Sequence, residues 1–247
     1  MLITSLNNDT VKELVKLKDK KYRDNNNLFF VEGKDLCDIA YENGLLRQIY
    51  ILDGYDNIYD GIPVTYVSKE VMKKISDMVC ISEYFGVCAK KVETDIGNHM
   101  LILDDIQDPG NLGTIIRSAV AFNFDTIVLS HGTVDLYNPK VIRSTEGMLF
   151  HINIIQNDLV KTIEDLKEKN YRVYGTDVID GTDINDLSNT DKTKFALVVG
   201  NEGNGVSKEL YDLFDDILHI NMNENVESLN VSVATSIILY EMDSKNE

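Results

Sequence analysis

Cysteine is scarce in this chain and poorly placed for cross-linking. The three cysteines of 247 residues, Cys37, Cys80 and Cys88, are odd in number and form no C-x-x-C pair, which argues against a disulfide framework or a cysteine zinc site. No stretch approaches the ~18 apolar residues of a membrane span. The first residues, Met1-Leu2-Ile3-Thr4-Ser5-Leu6-Asn7-Asn8, lack a basic region followed by an apolar one, so no signal peptide is expected and the chain reads as cytoplasmic. Positive charge is also in short supply: 24 Lys and Arg face 41 Asp and Glu, a net charge of −17. A broad basic face is therefore not expected. What is present, 43% hydrophobic and 26% charged residues, is ordinary for a folded protein and excludes wholesale disorder.

The charge is unevenly spread. Residues 1–96 carry 13 basic and 16 acidic side chains, whereas 97–247 carry 11 and 25. Within 11–34 the sign reverses, through Lys12, Lys16, Lys18, Lys20, Lys21, Arg23 and Lys34. A phosphate-rich partner would be met there, with Lys12, Lys16, Lys20 and Arg23 as candidate contacts, although a lysine run on a short helix is equally a solvated face.

Hydrophobic periodicity divides the chain in two. Val11, Leu14, Val15 and Leu17 have helical spacing within Asp9–Arg23, with Asp9 or Thr10 as N-cap. After an expected loop at Asn25–Asn27 come a strand at Leu28–Val31 and a helix at Lys34–Asn43 ended by Gly44. Strands follow at Arg47–Leu52, Val64–Val67 and Phe85–Lys90, with a helix at Lys69–Ile75 capped by Ser68. The polar stretch Lys91–Asn98 reads as a linker, giving domains 1–96 and 97–247. In the second, apolar runs at Met100–Leu103, Thr126–Leu129, His151–Ile155, Arg172–Thr176, Phe195–Val199 and Ile217–Ile220 alternate with helices near Leu112–Phe122, Asp158–Lys169 and Lys208–Phe214. Strands apolar on both faces and separated by helices predict an α/β fold with a covered parallel sheet.

Three segments carry candidate chemistry. In Asp108-Pro109-Gly110-Asn111-Leu112-Gly113-Thr114-Ile115-Ile116-Arg117 the chain turns after a strand, Asn111 is placed to cap a helix, and Arg117 sits near the ligand-binding end of the sheet. In Val198-Val199-Gly200-Asn201-Glu202-Gly203-Asn204-Gly205 the glycines are spaced G-x-x-G-x-G, which matches neither the dinucleotide fingerprint nor a phosphate-cradling loop. The acid Glu202 inside that turn disfavours phosphate and suits a ligand with positive charge. In Ile220-Asn221-Met222 through Glu227-Ser228-Leu229-Asn230-Val231-Ser232-Val233-Ala234 an Asn-rich loop feeds a helix of small residues.

In order and spacing, these segments resemble the three signature motifs of the SpoU (TrmH-like) branch of the SPOUT RNA methyltransferases. Residues 1–96, through Phe29-Phe30-Val31-Glu32-Gly33, resemble more loosely the L30e-like substrate-binding domain that precedes such catalytic domains. The resemblance implies 2′-O-methylation of a ribose in structured RNA, ribosomal RNA before transfer RNA, with S-adenosyl-L-methionine as donor. It also implies a homodimer, a C-terminal trefoil knot and no metal. It places Asn111, Arg117, Glu202, Ser228 and Asn230 at catalytic positions. Gly200, Ile220 and Leu229, with Thr176 and Met222, fall at the donor, and Arg143 at a basic position that helps hold RNA or donor. None of the four histidines falls in a motif. The pattern departs at Asn221 and Glu224, where the family commonly has Pro and Gly, and at Ser82–Gly86, which lacks the common Pro-Gln-Gly. Two other readings compete: a non-catalytic RNA-binding or ribosome-assembly protein on the same fold, and a Rossmann-type nucleotide enzyme, against which the glycine spacing speaks.

Overall fold

The computed structural model describes residues 1–92, 94–179, 181–186 and 192–243. In chain order the first elements are β1 (Leu2–Ile3), α1 (Asp9–Lys16), α2 (Lys20–Asn26), β2 (Leu28–Glu32), α3 (Lys34–Glu42), β3 (Leu46–Leu52), β4 (Val64–Val67), α4 (Lys69–Ile75) and β5 (Tyr84–Ala89). They are followed by β6 (His99–Leu103), α5 (Pro109–Ala121), β7 (Thr126–Leu129), α6 (Pro139–Ser144), β8 (Asn153–Gln156) and α7 (Leu159–Glu168). The last are β9 (Arg172–Thr176), β10 (Thr182–Asp183), β11 (Phe195–Val199), β12 (Asp216–His219) and α8 (Val231–Met242). They form two compact units: Met1–Val92 with Asp135–Phe150, and the described residues of 93–134 with 151–247. No described helix is long and apolar enough to cross a membrane.

The first unit is a mixed sheet of order β1-β4-β3-β5-β2. Its core joins Phe30, Tyr50 and Phe85 to Val11 and Leu14 of α1 and to Val71, Met72 and Ile75 of α4. The single helical run expected over 9–23 is broken in two. Asn8, not Asp9 or Thr10, caps α1 by accepting from the Thr10 amide at 2.9 Å, and Asp19 caps α2 by accepting from the Tyr22 amide at 3.1 Å. Short polar side chains that bond nearby amides compete with helix continuation, and Asp19 does so here. Helix α2 extends through Asn26, and Asn27, in the left-handed region at φ 54°, ends it. The asparagine run is therefore mostly helical and not a loop.

The basic segment is largely committed within the unit. Lys12 pairs with Asp9 and Lys16 with Glu13, each at 2.8 Å, and the Lys18 ammonium donates to the Ser76 carbonyl at 2.6 Å. Arg23 corrects the expectation most clearly. It is 3% exposed, donates to the Leu17 and Lys18 carbonyls at 2.7 and 2.9 Å, and pairs with Asp135. Its guanidinium closes the turn between α1 and α2 and is unavailable to an external phosphate. Removing one partner of a buried ion pair leaves the other uncompensated. Arg23→Ala is therefore expected to cost about 3 kcal/mol or more in urea unfolding, and a loss below about 1 kcal/mol would show the pair to be dispensable.

Residues 135–150 are fastened to this unit at several points. The Tyr137 ring lies 4.7 Å from Phe29, the Lys90 ammonium stands 4.7 Å over Tyr137, and Arg143 of α6 reaches Asp77 at 3.6 Å and Glu32 at 4.0 Å.

The second unit is a seven-stranded sheet of order β10-β12-β9-β11-β6-β7-β8 in which every pairing is parallel. Met100, Ile102, Ala196 and Val198 pack on one face against Leu159, Ile163 and Leu166 of α7. Their neighbours Leu101, Leu103 and Leu197 are buried on the other. Both faces are covered, as the unbroken apolar runs require. Helices α5 and α8 pack together, with the Ser118 and Ser236 hydroxyls 2.7 Å apart. Strand β8 begins at Asn153, where the apolar run points to His151. The segment 208–213 winds as a 3₁₀ turn where an α-helix is expected, because Phe214 is already extended and six residues are too few to establish a stable α-helix.

Candidate active site

Parallel strands deliver their following loops to one edge of a sheet, and strand order decides which loops meet. Here β11 lies between β9 and β6, and β12 lies beside β9. The loops after Thr176, Val199, His219 and Leu103 therefore converge.

The turn after β11 closes on itself. The Asn201 amide donates to the Gly205 carbonyl at 2.9 Å and the Gly205 amide returns the bond at 3.0 Å. The Asn201 Oδ1 accepts from the Gly203 and Asn204 amides at 2.8 and 3.1 Å. Glycine at 200 is a steric demand, since a Cβ there would stand 2.1 Å from the Gly205 carbonyl carbon and 2.2 Å from the Val206 nitrogen.

Glu202 projects from this turn to the loop after β6. Its carboxylate accepts from the Gln107 and Asp108 amides at 3.2 and 3.1 Å and from the Asn111 Nδ2 at 3.0 Å. The Asn111 Oδ1 in turn accepts from the Asn230 Nδ2 at 3.1 Å. The Asn230 Oδ1 caps α8 by accepting from the Ser232 and Val233 amides at 2.9 and 3.3 Å. Asn111 is thereby free of the capping role expected for it. Asp108 takes that role, accepting from the Asn111 amide at 2.9 Å, with Pro109 at the first helical position. The Asp-Pro pair carried that signal in the sequence.

Burial pushes the Glu202 carboxyl upward, but the bonds from Asn111 and the Asp108 and Gln107 amides outweigh it and leave its pKa lowered. A carboxylate lowered by folding stabilises the fold above its ordinary value of 4.5, and the contribution disappears as pH falls through the lowered value. Glu202 is exposed to solvent, which screens its charge-assisted bonds, so Glu202→Ala is expected to cost only about 0.5–1 kcal/mol near neutrality. The gap between variant and wild type in urea unfolding should close on acidification. A gap independent of pH would contradict the assignment.

A cavity of about 410 Å³ opens beside this network, a size suited to a small-molecule ligand. Thr176, Gly200, Ile220, Met222 and Leu229 all line it, as do Glu202 and Ser228. Asp177, Tyr211 and His219, to which the sequence patterns did not point, line it as well. The Tyr211 hydroxyl donates to Asp177 at 2.7 Å, and burial together with that carboxylate pushes the phenol up to about 12. No Lys or Arg is among the described residues of the wall, whereas Asp177 and Glu202 are. Such a cavity suits a cationic ligand better than a phosphate. Among the described residues no group of three His, Cys, Asp or Glu side chains is placed to hold a metal ion.

Arg117 is exposed on α5, one residue before the Ser118 contact with α8, and is not part of the cavity wall. Arg143, Lys12, Lys16, Lys20 and Arg23 all belong to the other unit.

The chain is similar to known proteins in sequence and in fold. The model of the SpoU rRNA methylase family matches residues 98–240. The chain belongs to that family. A second model, the MRM3-like substrate binding domain, matches residues 8–79. The chain is 34% identical to the 23S rRNA (guanosine(2553)-2′-O)-methyltransferase RlmP of Bacillus subtilis (strain 168), over 97% of this chain and 98% of that protein. Among solved structures, the AdoMet-bound rRNA methyltransferase from Sinorhizobium meliloti superposes with a TM-score of 0.86 at 26% identity, covering 98% of this chain and 97% of that one. An RNA 2′-O ribose methyltransferase superposes with a TM-score of 0.82 at 27% identity, covering 98% of each chain.

Proposed function

We propose that this SpoU-family chain methylates a ribose 2′-hydroxyl of ribosomal RNA with S-adenosylmethionine as donor. The observation that carries the proposal is the bonded series Glu202, Asn111, Asn230, which joins three distant motifs and meets, through Glu202, a cavity whose described wall holds no Lys or Arg. The B. subtilis relative is named for a guanosine of 23S rRNA, so large-subunit RNA is the first substrate to test. Within this reading, residues 1–96 form the substrate domain and 97–247 the catalytic one, with 135–150 packed into the first unit. The protein works in the cytoplasm as a homodimer, and the path from β11 to α8 carries the trefoil knot.

The residues around the cavity fit the donor. Backbone groups of the turn at Gly200 and of the loops at Ile220 and Leu229 would hold it, with Thr176 and Met222 in the wall. S-adenosylmethionine, when bound, supplies a methyl group on a positively charged sulfur. The chain must align the 2′-oxygen and ease departure of its proton. Glu202 holds the 107–111 loop in place, and Asn111 and Asn230 link that loop to the start of α8. Ser228 offers a hydroxyl at the cavity wall. Arg117 binds the phosphate beside the target ribose and donates to the 2′-oxygen, stabilising charge there as its proton passes to solvent water. It does not serve as the base, because a guanidinium resists deprotonation in proteins.

Calorimetric titration with S-adenosylmethionine, with NAD as control, followed by tritiated methyl transfer to total bacterial RNA tests this function. Label in a ribose of the large ribosomal RNA is expected. Label in transfer RNA would move the substrate. Donor binding without any transfer would favour a non-catalytic RNA-binding role, and no donor binding would sink the methyltransferase reading.

A further inference from the structure

Two adjacent side chains of the glycine-rich turn reach across to the loop after β6, and Glu202 is only one of them. The Asn201 carboxamide is used in both directions. Its Oδ1 accepts from the Gly203 and Asn204 amides and shapes the turn, while its Nδ2 donates at 2.8 Å to the Asp105 carbonyl.

Asp105 is an unusual residue to anchor. Its φ is +62°, a conformation few side chains other than Asn and Asp tolerate. The surroundings over-determine it. Its amide donates to the Ser130 Oγ at 3.0 Å, and its carbonyl also accepts from the Gln107 Nε2 at 3.2 Å. Its carboxylate lies where a Cβ at Gly132 would come within 1.6 Å of Oδ1. A left-handed residue reverses the chain direction, and here the reversal leads into the Gln107 and Asp108 amides that Glu202 binds.

We propose that Asn201 is a positioning residue that couples the donor turn to the catalytic loop. Its Oδ1 shapes the turn that holds S-adenosylmethionine, and its Nδ2 fixes Asp105, and through it the start of α5 that presents Asn111 and Arg117. The inference rests on the methyltransferase reading above.

Asn201→Asp separates the two halves. It keeps the oxygen that the turn amides need and replaces the donor with an oxygen facing the Asp105 carbonyl. Asn201→Ala removes both. Donor affinity is read by calorimetry, kcat and the RNA KM by tritium transfer, and folding by thermal unfolding. The Asp variant is expected to bind S-adenosylmethionine within about threefold of wild type while kcat falls about tenfold or more, since a small misplacement of reacting groups is costly. The Ala variant should lose both. If the Asp variant unfolds early, Asn201→Ser keeps a shorter acceptor that cannot span to Asp105 and serves in its place. Wild-type kcat in the Asp variant, or equal losses of kcat and donor affinity, would overturn the proposal. Wild-type protein that fails to transfer methyl to any RNA would instead overturn the functional reading on which it rests.

Discussion

Arg117→Ala is expected to lower methyl transfer by about a hundred- to a thousandfold while S-adenosylmethionine affinity stays within about threefold. The split follows from position. Arg117 is exposed on α5 and lies outside the cavity wall, whereas the residues assigned to the donor line it. In the proposed role its task is electrostatic and is felt as negative charge develops on the 2′-oxygen, so its loss should appear in kcat rather than in donor binding. No histidine occupies the Glu202–Asn111–Asn230 network to replace it. Lysine is a poor substitute, because an ammonium cannot reproduce the planar fork that holds a phosphate and a second oxygen together. Arg117→Lys should therefore retain only a few per cent of turnover. Near-normal turnover in the Lys variant would contradict Arg117 as either base or phosphate-holding group. A parallel collapse of donor affinity in the Ala variant would show a structural role.

Gly200→Ala should have the second-largest effect: donor affinity lower by a hundredfold or more, with a clear drop in thermal stability. The added Cβ would meet the Gly205 carbonyl carbon at 2.1 Å, the Val206 nitrogen at 2.2 Å and the Gly205 oxygen at 2.3 Å. All three are backbone atoms and cannot swing away. The turn must open, and the paired Asn201–Gly205 bonds at 2.9 and 3.0 Å would be the first to break. Gly203 provides the contrast in stability. A Cβ there meets only the Asn201 Oδ1 at 3.6 Å, an ordinary contact, so Gly203→Ala should change unfolding by less than about 1 kcal/mol. Calorimetric titration and thermal unfolding decide the matter. A Gly200→Ala protein that binds donor normally would mean the turn is more plastic than its packing indicates.

What the sequence determined by itself was local. Apolar runs without alternation identified β6, β7, β9 and β11 as strands covered on both faces, since a side chain's burial preference is written at its own position. Ser68 before α4 and Gly44 after α3 marked helix ends, because caps act within four residues. The order and spacing of three motifs pointed to the residues that the structure joins as Glu202, Asn111 and Asn230. The same short range explains what stayed hidden. The basic residues of 11–34 looked alike in sequence, yet Arg23 is buried because Asp135, more than a hundred residues away, comes to meet it. Asn201 read as one more polar residue in a glycine-rich turn, and its bond to Asp105 spans 96 positions. That bond exists because β11 pairs with β6 and not with another strand. Pairing order is set by how the sheet and its covering helices pack as a whole, and periodicity along the chain carries no record of it.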